Sequence, residues 1–112
     1  MKIQVEKLKD TLFLRLKGEF DMLTADEFRS AVDDHFDGKR VKNLILDISK
    51  VSFIDSSGLG AILARYKKIK QLNGNMVIVG AKPQVKRVLE LSGVVKIIEV
   101  YDDEKSALMG LL

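Results

Sequence analysis

Leu44-Ile45-Leu46-Asp47-Ile48 leads through Val51-Ser52-Phe53-Ile54 into Asp55-Ser56-Ser57-Gly58-Leu59-Gly60, and the reading of this stretch decides the fold. The run from Asn43 to Ile48 is short and nearly continuously apolar, as in a strand covered on both faces. Val51 to Ile54 stays extended toward the serine-rich turn. Beyond the turn the period changes. Leu59, Ile62, Leu63, Tyr66 and Ile69 share one helical face in a stretch reaching Leu72, which Asn73-Gly74 closes. Strand, small polar turn and helix form half of a β-α-β crossover.

The pattern repeats outward from there. Met76-Val77-Ile78-Val79 reads as another buried strand, and Pro83 suits the first position of a third helix with Val85, Val88 and Leu89 inward and Gly93 as its stop. Val95 to Val100 contains a short strand, and Asp102 and Asp103 can cap a last helix carrying Ala107, Leu108 and Leu111. Upstream, Ile3, Val5 and Leu8, a Lys9-Asp10 turn, and alternating Leu12, Leu14 and Leu16 predict an antiparallel hairpin ended by Gly18. Thr24 and Glu27 fit a capping box, and Leu23 and Phe28 fit a hydrophobic staple, for a helix with Ala25, Phe28, Val32 and Phe36 inward and Gly38 as its stop. The order is β-β-α-β-α-β-α-β-α. It predicts an α/β fold: a small mixed sheet, antiparallel at its N-terminal hairpin and then parallel, with about four helices packed on it.

Parallel strands gather their following loops on one edge, where ligand and partner sites favour the carboxyl ends. That edge collects Gly18-Glu19-Phe20-Asp21, Asp55-Ser56-Ser57-Gly58 and Gly80-Ala81-Lys82, so Ser57 and Asp21 are expected to be neighbours. Two hydroxyls at a helix N-terminus suit a phosphate, because exposed N–H groups and the helix dipole both favour negative charge there. Such a phosphate could belong to a ligand, to a covalent intermediate or to the protein as a modification. Simple capping by Asp55 or a serine is the plainest account of the turn. Yet two hydroxyls, an aspartate and two glycines exceed what one cap requires, and Gly58 and Gly60 would let another protein approach closely.

Composition bounds the alternatives. The chain has 112 residues, 46% of them hydrophobic and 31% charged, and reads as one domain spanning residues 1–112. Cysteine is absent, which excludes disulfides and thiolate chemistry. The stretch Met1-Lys2-Ile3-Gln4-Val5-Glu6 is charged too early for a signal peptide, and no apolar run could span a membrane. A cytoplasmic protein is expected, and a monomer, since nothing in the sequence demands an oligomer. The net charge of +3, with 19 basic against 16 acidic residues, does not favour nucleic acid. Asp21 to Asp37 is acidic and Arg65 to Lys70 basic, as in two solvated helix faces.

A nucleotide-binding P-loop is missing, because Gly58 and Gly60 lack the lysine and the spacing. So is a nucleophile elbow: Ser56 has Ile54, not glycine, two residues before it. The lone histidine, His35, lies on another element. Asp33, Asp34, His35 and Asp37 offer no third convergent metal ligand. No metal, cofactor or catalytic residue is expected, although a small nucleotide- or phosphate-binding protein stays open as an alternative.

Phe53-Ile54-Asp55-Ser56-Ser57-Gly58-Leu59-Gly60, with Arg65-Tyr66-Lys67, resembles the STAS domain of bacterial anti-sigma factor antagonists. Gly18-Glu19-Phe20-Asp21 with Thr24-Ala25 resembles the family's second signature, and Gly80-Ala81-Lys82-Pro83, Val85-Lys86-Arg87 and Ser92-Gly93 are similar too. The resemblance covers essentially the whole chain and is strongest to the sporulation sigma-F antagonists. It implies a partner switch. The unphosphorylated antagonist binds an anti-sigma factor that is also a serine kinase, and this frees the sigma factor for transcription. The kinase uses its own ATP to phosphorylate the antagonist, which dissociates, and a PP2C-type phosphatase resets it. The implied phosphorylation site is Ser57. Glu19, Asp21, Asp55, Ser56, Ser57, Gly58 and Gly60 are the implied partner-binding residues. Met22-Leu23 departs from the family, which often has a polar, histidine-containing pair there. A signalling scaffold of the same family with another kinase partner would share these residues.

Overall fold

A computed structural model describes residues 1–36 and 40–111. At its centre lies β3 (Asn43–Ile54), with β2 (Thr11–Phe20) on one side and β4 (Asn75–Val79) on the other, both parallel to it. The edge strand β1 (Lys2–Leu8) pairs antiparallel with β2, and the two-residue β5 (Val100–Tyr101) pairs parallel with β4. The sheet order is therefore β1-β2-β3-β4-β5, each strand beside its neighbour in sequence. Helices α1 (Ala25–Phe36), α2 (Ser56–Gln71), α3 (Pro83–Ser92) and α4 (Glu104–Leu111) fill the connections and the C-terminal end.

Alternation along β2 and β3 divides two cores. Leu12, Leu14, Leu16, Leu44, Leu46 and Ile48 face one way, against Phe28 and Val32 of α1, Ala61, Ile62 and Ile69 of α2, and Val85 and Leu89 of α3. Phe13, Ile45, Val77 and Val79 face the other way, against Ala107 of α4. Phe20 and Phe28 seal the first core near the carboxyl edge, with ring centroids 5.0 Å apart.

Several sequence expectations need correction. Gly18 does not end its strand: β2 runs on to Phe20, with Gly18 at φ +121° inside it. Arg15 to Lys17 of β2 lies opposite Asp47 to Lys50, and Gly18 to Glu19 lies opposite Val51 to Phe53, so β3 carries an extra residue at each of two points. The extended runs before the serine turn are thus a single bulged strand, and α2 begins at Ser56 rather than Leu59. Leu23 is 82% exposed while Phe28 is fully buried, so no staple joins them. The Thr24 hydroxyl accepts from the Asp21 N–H at 3.0 Å and donates to the Glu19 carbonyl at 2.8 Å, which fixes the turn before α1 instead of completing a capping box. A 3-10 turn at Val94–Lys96 precedes β5. The proposed helix stop at Gly38, and Asp37 with it, lie outside the described residues.

Candidate functional site

The serine turn is built from the ends of β2 and β3. Phe20 lies opposite Ile54, and the Asp55 N–H donates to the Phe20 carbonyl at 3.2 Å. This bond fixes the start of α2 beside the loop after β2. Asp55 is the N-cap, with extended φ −111° and ψ −173°. Its Oδ1 accepts from the Ser57 N–H at 2.9 Å and the Gly58 N–H at 3.0 Å, and its carbonyl accepts from Leu59. The amides of Ser57 and Gly58 are therefore engaged, which corrects the expectation that they stand exposed for a phosphate. A carboxylate of the chain itself already occupies the anion position at this helix end.

Gly58 and Gly60, two residues apart, answer to different requirements. A Cβ on Gly58 would stand 2.6 Å from the Phe20 carbonyl oxygen and 2.9 Å from the Phe20 ring, closer than packed atoms tolerate. The fold itself requires this buried glycine, which corrects the reading of Gly58 as room for another protein. A Cβ on Gly60 would meet nothing within 4 Å, and the position is exposed. Ser56 is exposed and Ser57 half-buried, so their hydroxyls are the chemistry left at the turn.

Asp21 is half-buried, and its Oδ1 accepts from the Leu23 N–H at 3.0 Å and the Thr24 N–H at 3.1 Å. That carboxylate shapes the loop directly after Phe20. Glu19 is exposed and lies opposite Phe53 in the sheet register. The carboxyl edge thus brings Glu19, Asp21, Asp55, Ser56, Ser57, Gly58 and Gly60 together around the Phe20–Ile54 pair. Sequence reasoning gave no account of the apolar rim there. Met22 is 71% exposed and Phe53 49%, joining Leu23 on loop and strand positions next to these residues. The signal available is the pair Met22-Leu23, of which Leu23 reads as half of a staple and Met22 only as a departure from the family. The third loop of this edge turns at Gly80, φ +77°, where a Cβ would meet that of Ser49 at 2.7 Å.

The remaining candidates are accounted for by structure. Asp33 accepts from Arg65 at 2.7 Å and Lys68 at 3.1 Å, tying α1 to α2. Burial pushes its pKa up, but these two cations outweigh that and hold it below the usual carboxylate value. His35 Nδ1 lies 2.7 Å from the Ala31 carbonyl oxygen on its own helix. Among the described residues no group of three His, Cys, Asp or Glu side chains could hold a metal ion, and no helix is long and apolar enough to cross a membrane.

The STAS domain family model matches residues 2–107. The chain belongs to the STAS family. This STAS chain is 39% identical over 111 residues to an anti-sigma F factor antagonist of Paenibacillus polymyxa, covering 99% of this chain and 95% of that one. It superposes with a TM-score of 0.87 on an anti-sigma factor antagonist from Mycobacterium paratuberculosis, at 27% identity and covering 98% and 92% of the two chains. The Bacillus cell fate determinant SpoIIAA in its phosphorylated form shares the STAS fold, with a TM-score of 0.77 at 24% identity over 99% and 100% of the two chains.

Proposed function

We propose that this STAS domain is a non-catalytic, phosphorylation-controlled anti-sigma factor antagonist with Ser57 as its switch residue. One observation carries the reading. The Asp55 carboxylate fills the anion position at the start of α2, so the turn is poorly suited to holding a free phosphate and offers a serine hydroxyl instead. The kinship with the Paenibacillus polymyxa anti-sigma F factor antagonist supports the choice of partner. Unphosphorylated, the protein docks an anti-sigma factor that is also a serine kinase, through Glu19, Asp21, Asp55, Ser56, Ser57 and Gly60, with the buried Gly58 holding the turn against Phe20. This releases the sigma factor for sporulation transcription. The kinase then transfers phosphate from its own ATP to Ser57, and a PP2C-type phosphatase removes it in the cytoplasm.

Charge makes the switch work. A phosphoserine adds about −1.5 to −2 charges near neutral pH. Asp55 lies two residues away and holds the neighbouring amides, and Asp21 and Glu19 share the edge, so the added charge joins an acidic neighbourhood. Exposed Met22, Leu23 and Phe53 border it with apolar surface. A partner that covers this edge must desolvate the dianion or leave. The test is mass measurement after incubation with ATP, with and without the cognate kinase. No phosphate uptake alone, one phosphate with the kinase, and none on Ser57→Ala are expected. Full-rate uptake by Ser57→Ala would overturn the assignment.

A further inference from the structure

The sheet face that carries α4 is only half covered. Beyond α4, toward the carboxyl edge, β1, β2 and β3 leave an open groove of about 600 Å³. Its floor carries Lys2, Lys17 and Lys50 in a single row, since Lys17 lies opposite Lys2 on β1 and opposite Lys50 on β3. All three are exposed. Like charges directly opposite one another on neighbouring strands destabilise a sheet. Among the described residues these three ammonium groups have no ion pair or hydrogen bond to relieve that cost.

Arg15, Arg29, Arg65 and Lys68 are paired within the molecule. Arg15, in the next row, donates to Glu104 at 2.7 and 2.8 Å and to Glu6 at 2.8 Å. Lysine on an edge strand is a common guard against edge-to-edge pairing, but that accounts for Lys2 alone. Lys17 and Lys50 sit on interior strands, where no edge needs guarding. The row faces one carboxylate, Asp47, whose Oδ1 already accepts from the Ser49 N–H at 2.9 Å. Positive charge is in excess there, and Gln4 and Ser49 line the same groove as neutral hydrogen-bonding groups.

We propose that this groove binds a small polyphosphate anion. Its volume falls in the range of about 300–1,000 Å³ typical of small-molecule sites. The lysine row spans two strand spacings, roughly 10 Å, a length suited to a chain of two or three phosphates. The groove is separate from the turn at Ser57, and its occupation does not depend on phosphorylation there.

Inorganic tripolyphosphate is titrated into isotope-labelled full chain and amide shifts are followed by NMR, with ATP in a second arm. Saturable shifts are expected at Gln4, Lys17, Ser49 and Lys50. Replacing both Lys17 and Lys50 by Gln should weaken binding roughly tenfold or more, while Lys67→Gln on exposed α2 leaves it unchanged. An unchanged amide spectrum of the double variant outside the groove shows that it folds. Equal affinity for the two probes assigns recognition to the phosphate chain, and tighter ATP binding adds a nucleoside contact. Shifts that do not saturate, that centre on α2, or an affinity unmoved by the double substitution would each overturn the proposal.

Discussion

At its carboxyl end α2 is tied into the domain: Arg65 and Lys68 reach Asp33 on α1, Ile69 is buried, and Gly74 beyond the helix packs against the Lys42 carbonyl. At its amino end the same helix turns Gly58 against Phe20 and Leu59 against the core, and presents Ser56, Gly60 and a half-exposed Ser57 on its other side. The first end uses long charged side chains that cross to a neighbouring helix. The second uses small residues with a cap drawn from their own backbone neighbour. A helix end that serves only the fold resembles the first. An end that leaves two hydroxyls and an open glycine at the surface, beside exposed Met22, Leu23 and Phe53, is the surface on which the proposed partner would sit.

The strongest way to break this contrast is to charge the amino end. Ser57→Asp should fold as wild type, because a carboxylate in the first turn of a helix is well placed. Its affinity for the partner kinase should fall roughly 30- to several-thousand-fold, the cost of burying an unpaired charge at an interface. Calorimetric titration against the kinase decides this, and equal affinity would sink the charge mechanism. Next in size is Gly58→Ala. Its methyl group would press on the Phe20 carbonyl and ring, so the domain should lose roughly 1–3 kcal/mol of stability, read as a lower denaturant midpoint. A neutral outcome would mean that β2 and α2 can separate at this edge.

Much of this was legible beforehand, and the rest fails for identifiable reasons. Strand and helix order followed from local period, and the placing of Asp21 near Ser57 followed from parallel topology. The Asp55 cap is local chemistry and could be read directly. Gly58 could not, because its constraint comes from Phe20, some forty positions upstream and across the strand pair. Gly18 looked like a stop because glycine usually ends strands, whereas here it sits at positive φ beside a point where β3 carries an extra residue. Those same extra residues set Lys50 opposite Lys17, so the lysine row is invisible without the register. Leu23 matched a staple by spacing, but the turn held by Asp21 and Thr24 leaves it in solvent.

The tied end makes a smaller, pH-dependent prediction. Asp33 has a folded-state pKa below its ordinary value, with Arg65 and Lys68 prevailing over burial. A lowered carboxylate pKa contributes stability that is full above the unfolded-state value and is lost as pH falls through the folded one. Asp33→Asn should therefore cost about 1 kcal/mol near neutral pH, and the gap to wild type should close at pH values below the ordinary aspartate range. Denaturation midpoints of the two proteins at neutral and acid pH measure this. A gap that persists in acid would assign the effect to packing and not to charge.

The smallest effect separates fold from interface most cleanly. Gly60 lies in the first turns of α2 with open space where its Cβ would be, so the fold gains nothing from a glycine there. Gly60→Ala should raise stability by roughly 0.5–1 kcal/mol, since alanine loses less backbone entropy in a helix. If the amino end of α2 is where a partner's backbone lies close, the same methyl group should weaken kinase binding while the domain becomes more stable. Thermal unfolding and the binding titration then move in opposite directions in one variant. Higher stability with unchanged affinity would place the partner's footprint away from Gly60 and confine it to the serines and the loop after β2.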